Sequence, residues 1–202
     1  TGVGNRLILL RKKGFINLTG TDIFIKEDIF YSNNVRVLKK DIKEIDEEYD
    51  FIMLNHSFEH MPNQLDVLKE LFRILNPGKY MLIRIPIVSS YAWQKYNVNW
   101  VGIDAPRHYY LHTLKSMEIL VNKSGFLLKE IKYDSSEFQF VGSEQYINNI
   151  PLRSKKSYYE HPKDSIFSKN DIRKFQKTAR RLNKEKQGDM ACFYLYKSGS
   201  GI

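Results

Sequence analysis

The sequence predicts a layered α/β/α sandwich built on a mainly parallel sheet. Three observations carry that expectation. Apolar runs of strand length alternate with amphipathic stretches of helix length, as strand–helix–strand crossovers require. Two of the runs, "YDFIMLN" and "KYMLIRIPI", are apolar nearly throughout, which suits strands covered on both faces. The chain also opens on "TGVGN", two glycines at the start of a helical stretch. Such a loop lets backbone approach a ligand at the edge of an open parallel sheet.

The elements follow in order. "INLTGTDIF" and "VRVL" read as short strands, and "YDFIMLN" as a buried one. A helix comes next, with Pro62 in its first turn and Leu65, Leu68, Leu71, Phe72 and Leu75 on one face. "NPG" at Asn76 to Gly78 should stop it, because Pro cannot continue a helix and Gly accepts a positive φ. "KYMLIRIPI" is the next strand, ended by Pro86. A second helix is expected from about Thr113 to Asn122, with Gly125 after it, and "FLLKEIKY" and "ACFYLYK" are the last two strands.

Between those strands lies a basic segment. From Pro151 to Gln187 there are twelve Lys/Arg against four Asp/Glu, which accounts for +8 of the chain's net +9. Asn170 is expected to cap a helix with Ile172, Phe175, Ala179 and Leu182 as its apolar stripe. Arg173, Lys174, Lys177, Arg180, Arg181 and Lys184 crowd its other faces. The segment is either a solvated helix docked on the domain or a surface for an anionic partner.

The chain of 202 residues fits one domain, and no apolar run reaches the roughly 20 residues a membrane span needs. No signal peptide is visible. The single cysteine, Cys192, precludes an internal disulfide and fits a cytoplasmic location; its apolar run marks it as a core thiol.

The ligand loop invites a nucleotide. Helix N-terminal N–H groups suit a negative group, and Asp22, twenty residues after Gly2, stands where a strand-end carboxylate can accept hydrogen bonds from ribose hydroxyls. That spacing does not choose between NAD and other adenosine ligands.

Later motifs do choose. "TGVGNRLILLRKKGFINLTGTDI", "KKDIKEIDEEYDFIMLNHSFEHMPN" and "LKELFRILNPGKYMLIRIPI" resemble the glycine loop, the "H-x-x-E-H-x-P" turn and the "L-x-P-G-G" strand of the class I S-adenosylmethionine-dependent methyltransferases. Lys79 stands where the family turn has its second glycine. "DAPRHYYLHTLKSMEILVNKSGF" and "NKEKQGDMACFYLYK" resemble a subgroup linked to carbohydrate biosynthesis. The resemblance runs from Thr1 to Lys197. It implies a Rossmann-like fold with a mainly parallel seven-stranded sheet, the last strand antiparallel. It also implies that the sequence lacks the first strand and the first glycines of the loop. The expected organisation is one methyltransferase domain over 1–202, with a basic helical insertion at about 143–188 before the last strand.

The resemblance implies roles residue by residue. Gly2 and Gly4 would lie against the methionine part of S-adenosyl-L-methionine, and S-adenosyl-L-homocysteine would be the product. Asp22 would take the ribose, Ile23 would pack near the adenine, and Asp41 with the Ile42 N–H would receive the adenine edge. The glycines also read as turn formers, and Asp41 as a solvated turn residue. Asn55 and His56 follow a buried strand and so belong at its carboxyl edge, where the methyl group would point, and they complete the expected cofactor-binding set.

Methyl transfer from a sulfonium is an in-line displacement, so alignment dominates; a hydroxyl acceptor also needs a base. His56, His108 and Asp104 are the candidate catalytic groups. Arg107 can clamp an anionic acceptor or pair with Asp104 to hold the loop. Tyr91, Trp93 and Trp100 offer a sugar-stacking wall or ordinary packing.

His56 and His60, four apart, suggest zinc, but the family turn accounts for Glu59 and His60, and no metal is expected. The expected acceptor is a small molecule, anionic or sugar-linked, methylated on oxygen or nitrogen. Two alternatives remain. One is a nucleic-acid-directed methyltransferase using 151–187. The other is an NAD-dependent short-chain dehydrogenase, from the Tyr91-x-x-x-Lys95 spacing.

Overall fold

The computed structural model describes residues 2–32 and 34–199; Thr1, where the expected glycine loop opens, lies outside them. Helix α1 (Asn5–Lys12) starts from Gly4, a left-handed residue with φ 82°. Strands β1 (Leu18–Thr21), β2 (Ile29–Tyr31) and β3 (Val35–Leu38) form one sheet in the order β1-β3-β2. β1 and β3 run parallel, and β2 folds back antiparallel on β3. Val35 and Val37 alternate into the core, as a strand's period of two requires.

Strands β4 (Tyr49–Asn55), β5 (Leu75–Pro86), β6 (Leu127–Tyr133) and β7 (Met190–Tyr196) form a second sheet in the order β4-β5-β7-β6. β4 and β5 are parallel, and β7 is antiparallel to both its neighbours, as expected of the last strand. The single seven-stranded sheet is not seen. Among the described residues seven strands make two sheets, and β1 and β4 each pair on one side only. Strand–helix alternation in a sequence implies crossovers but does not say which edges meet.

Helix α2 (Gln64–Ile74) crosses from β4 to β5 and buries Leu68, Leu71 and Ile74 against the second sheet. It stops before "NPG", not at it: strand pairing starts at Leu75, and Gly78 takes a positive φ of 75° inside β5. The last carbonyls of a helix have no intrahelical donor. Here Lys197 Nζ supplies one, donating to the Phe72 carbonyl at 2.7 Å and to the Leu75 carbonyl at 2.6 Å. That contact ties the end of β7 to α2.

Helix α4 (Leu114–Ser124) is capped by Thr113, whose hydroxyl accepts from Ser116 N at 3.0 Å, and it closes on Gly125 at φ 91°. Met117 and Val121 of α4 meet Met81, Ile83 and Ile85 of β5 and Phe193 and Leu195 of β7 in the main core. Each fully buried side chain of this kind contributes about 1.5–3 kcal/mol.

A second core gathers α3 (Tyr91–Tyr96), α5 (Phe138–Ile147) and α6 (Lys169–Lys184) around Trp100, Val101 and Phe140. The cap of α6 is Ser168, two residues before Asn170. The Ser168 hydroxyl accepts from Asp171 N at 3.2 Å, and the Asp171 carboxylate accepts from Ser168 N at 3.0 Å. This reciprocal box satisfies donors at the helix start that Asn170 would not reach. Ile172, Ala179 and Leu182 are buried as predicted, and the six basic residues of the other faces are exposed.

Candidate active site

The carboxyl end of β4 lies beside β5, with Asn55 in register with Arg84. The chain turns sharply at His56, whose φ of 52° is left-handed and whose N–H donates to the Arg84 carbonyl at 3.0 Å. A single helical turn, Phe58–His60, follows and carries Glu59 into the interior. His56 Nε2 meets the Arg84 guanidinium. Arginine can only donate, so Nε2 accepts and Nδ1 carries the proton. Nδ1 faces Glu59 Oε1 at 3.4 Å, and on the other side Arg84 Nε donates to Asp134 Oδ2 at 2.7 Å. Asp134, Arg84, His56 and Glu59 thus form a line in which a neutral imidazole stands between the guanidinium and the buried carboxylate.

His56 and Arg84 also line a cleft of about 380 Å³, together with Phe138, Tyr159, Asp189 and Met190. Phe138 and Tyr159 meet edge to face at 5.5 Å. Burial, then Glu137, pushes the Tyr159 phenol far up, so it stays a neutral donor. Half of this wall belongs to the start of α5 and to the loop before α6; of these residues only Tyr159 falls within the stretch at about 143–188 expected as an insertion. Arg84 was not among the expected site residues, although a lone cation inside the apolar run "MLIRIPI" was a sign of it.

The loop after α3 brings Asp104, Arg107 and His108 close to Glu59 and His60. Asp104 and Arg107 form an ion pair, with Arg107 Nε donating to Oδ1 at 3.1 Å, so the loop-holding reading describes the observed contact. His108 donates Nδ1–H to the Gly102 carbonyl at 2.9 Å, which turns Nε2 toward Glu59 Oε1 at 3.9 Å and Asp104 Oδ2 at 3.7 Å. Burial pulls the His108 pKa below the usual histidine value, against the opposing pull of the Gly102 hydrogen bond, Glu59 and Asp104. His60 sits beside it, rings 4.8 Å apart, with its Nδ1 at 2.8 Å from the Arg107 carbonyl. His108 and Asp104 are not on the wall of the cleft that His56 lines.

The aromatic wall is only partly where it was expected. Trp100 is fully buried and donates its indole N–H to Asp189 at 3.0 Å, so it packs the core and offers no stacking face. Trp93 is half-buried against it, ring centroids 6.0 Å apart. Tyr91 remains at the surface, edge-on to Phe140. Lys95 bonds to the Tyr96 hydroxyl at 2.8 Å and to Glu144 at 3.1 Å on a helix of six residues. Cys192 is a buried thiol, pushed up to about 11 by burial first and by Asp134 next.

At the other end of the chain the glycines earn their places. A Cβ at Gly4 would stand 2.7 Å from Val37 Cγ2, and φ is positive at both Gly2 and Gly4. Asp22, just after β1, accepts from Gly2 N at 2.7 Å through Oδ2 and from Phe24 N at 2.9 Å through Oδ1. Burial works to raise its pKa, but the hydrogen bonds from the Gly2 and Phe24 N–H groups and the nearby amino-terminal positive charge together hold the carboxyl below the usual range. The side chains of Ile23 and Phe24 are exposed beside it. Asp41 caps the single turn Ile42–Glu44, accepting from Lys43 N at 3.0 Å, while Ile42 packs against the main core.

Comparison with known proteins sharpens this picture. A family model described as a methyltransferase domain matches residues 1–131. No curated protein matches the chain. Among solved structures, one assigned as a sarcosine dimethylglycine methyltransferase from Galdieria sulphuraria is similar at 15% identity and a TM-score of 0.58. That match covers 98% of this chain and 76% of the other. A SAM-dependent methyltransferase from Archaeoglobus fulgidus shows 20% identity, coverages of 96% and 81%, and a TM-score of 0.53. The phosphoethanolamine N-methyltransferase 2 of Haemonchus contortus, with phosphomonomethylethanolamine and S-adenosylhomocysteine bound, shows 17% identity and a TM-score of 0.55. It covers 98% of this chain, which spans about half (47%) of that enzyme. At such identities these likenesses bear on the fold.

Proposed function

The chain belongs to the methyltransferase-domain family, and from that premise we propose that it moves the methyl group of S-adenosyl-L-methionine to oxygen or nitrogen of a small, carbohydrate-related acceptor. The observation that carries this reading is the cleft of about 380 Å³ at the carboxyl end of β4 and β5, with His56 and Arg84 on its wall. Sulfonium is a good leaving group, so the protein's main work is to align acceptor and methyl and to keep water out. A cleft walled by Phe138 and Tyr159, with Arg84 at one side, suits a flat-faced acceptor that carries hydroxyls or a negative group.

In this reading Gly2 and Gly4 lie along the methionine part of the cofactor. Asp22 serves the ribose and Ile23 flanks the adenine, with Asp41 and the Ile42 N–H at its edge. His56 is the base nearest the methyl. Its Nε2 lone pair is held by Arg84, so the acceptor must displace that contact before His56 takes its proton. His108 and Asp104, with Arg107, shape the loop beside the turn, and Tyr91 stands at the surface against Phe140 of α5.

The test is calorimetric titration of S-adenosyl-L-homocysteine into the chain, with NAD as control. Saturable binding of the first alone is expected. Binding of NAD in its place, or of neither ligand, overturns the cofactor assignment.

A further inference from the structure

Glu59 is fully buried, and neither of its carboxylate oxygens has a hydrogen-bond partner among the described residues. A buried carboxylate without donors is costly, because it has given up water and gained nothing in return. Among the described residues no Lys or Arg pairs with it. What faces it instead is a set of imidazoles: His56 Nδ1 at 3.4 Å, and His108 Nε2 at 3.9 Å.

The two histidines next to it are held in a telling way. His108 Nδ1 bonds to the Gly102 carbonyl at 2.9 Å and His60 Nδ1 to the Arg107 carbonyl at 2.8 Å. A carbonyl accepts, so in each ring Nδ1 carries the proton and Nε2 keeps its lone pair. Metal-binding histidines are oriented by such outer hydrogen bonds, which fix the tautomer and the ring plane. One ligand atom each from Glu59, His60 and His108 all lie within 4.8 Å of one another.

We propose that Glu59, His60 and His108 hold a divalent transition-metal ion. Two imidazole nitrogens and one carboxylate suit zinc, manganese or a neighbouring first-row ion, and a three-ligand set leaves positions open for water or a ligand oxygen. The ion would give the Glu59 oxygens the partner they lack. The expectation of no metal, drawn from the sequence, considered His56 with His60. The structure brings His108, forty-eight positions along the chain from His60, into the place of His56.

The test is titration of Zn²⁺, Mn²⁺ and Co²⁺ separately into chelator-treated chain, read by calorimetry and, for Co²⁺, by its visible absorption. One ion per chain is expected. Glu59→Gln and His60→Ala should each weaken binding by roughly 100-fold or more, the upper end of what losing even an outer hydrogen bond costs. His161→Ala, in an exposed loop, should bind as the unaltered chain does. If Glu59→Gln does not fold, His60→Ala decides, since His60 is only half-buried. No saturable binding by the unaltered chain, or binding that both substitutions leave intact, overturns the site. The titration uses no cofactor, so its failure is separate from a failure to bind S-adenosyl-L-homocysteine.

Discussion

The indole of Trp100 donates to the carboxylate of Asp189 at 3.0 Å, joining the turn after α3 to the residue that precedes β7. Both residues are buried. Burial pushes the Asp189 pKa up, and the bonds from Trp100 and Ser135 pull it back. Trp100→Phe keeps most of the ring volume but removes the donor. It should cost about 1–3 kcal/mol, the usual penalty for stranding a buried acceptor. Gly102 lies against the same ring, and a Cβ there would stand 2.3 Å from Trp100 Cζ2. Gly102→Ala should therefore cost about 1–3 kcal/mol through overpacking. The midpoint of urea unfolding checks both.

Acid should unfold the protein partly through His112. The residue is buried, stacks on Phe58 at 5.9 Å and has Gln64 Oε1 at 2.8 Å from its Nε2. Gln64 donates its own amide to the Phe58 carbonyl, so Oε1 must accept and His112 Nε2 carries the proton of a neutral ring. Burial lowers the His112 pKa to about 4. The unfolded chain takes up that proton near the ordinary histidine value of about 6.5, while the folded chain resists until about 4. Stability is therefore present above the unfolded value and falls as pH drops through this window. The loss is on the order of 3 kcal/mol. His112→Gln should flatten the pH dependence of unfolding between those values, whatever it does to stability at neutral pH.

How much of this was legible depended on whether an element had a one-sided pattern. α2 and α4 have apolar stripes and flanking stop signals, and both were found within a few residues. α5 was not. Gln139, Phe140, Val141, Gly142, Ser143 and Gln145 are all buried, so no polar face marks the helix. Gly142 belongs there because a Cβ would meet Val101 Cγ2 at 2.6 Å, a contact between segments that no local pattern encodes. Trp100 failed for a related reason: an aromatic in a loop reads alike whether it forms a wall or a core. His56 was visible from its place after an apolar strand, although β4 is not covered on both faces as its composition suggests: it is an edge strand among the described residues, partly exposed along its length. Its tie to Arg84, and the convergence of His60 and His108, depend on strand register and on the course of the loop after α3.

The link between Gly2 and Asp22 makes the start of the chain testable. Asp22→Ala removes an acceptor for the Gly2 and Phe24 N–H groups and, in the proposed function, the ribose contact. A hydrogen bond to a charged group contributes about 1.5–3 kcal/mol, so S-adenosyl-L-homocysteine should bind roughly 10–100-fold more weakly. Calorimetry on the folded variant reads the change. An unchanged affinity would assign Asp22 to holding the turn alone.

The last prediction separates positioning from chemistry at the head of the cleft. His56 can act as base only through Nε2, and Arg84 occupies that atom in the absence of acceptor. His56→Ala should leave S-adenosyl-L-homocysteine affinity unchanged but lower kcat about 100-fold or more for a hydroxyl acceptor, the usual contribution of a positioned base. Arg84→Met should act differently. It frees Nε2 but leaves Asp134 without its partner at 2.7 Å, so acceptor binding weakens and the rate at saturation changes less. Steady-state kinetics with each variant, varying the acceptor, should show a loss in kcat for His56→Ala and a rise in KM for Arg84→Met. The same loss in kcat from both would mean that Arg84 acts in the displacement itself, holding the acceptor in line with the methyl group.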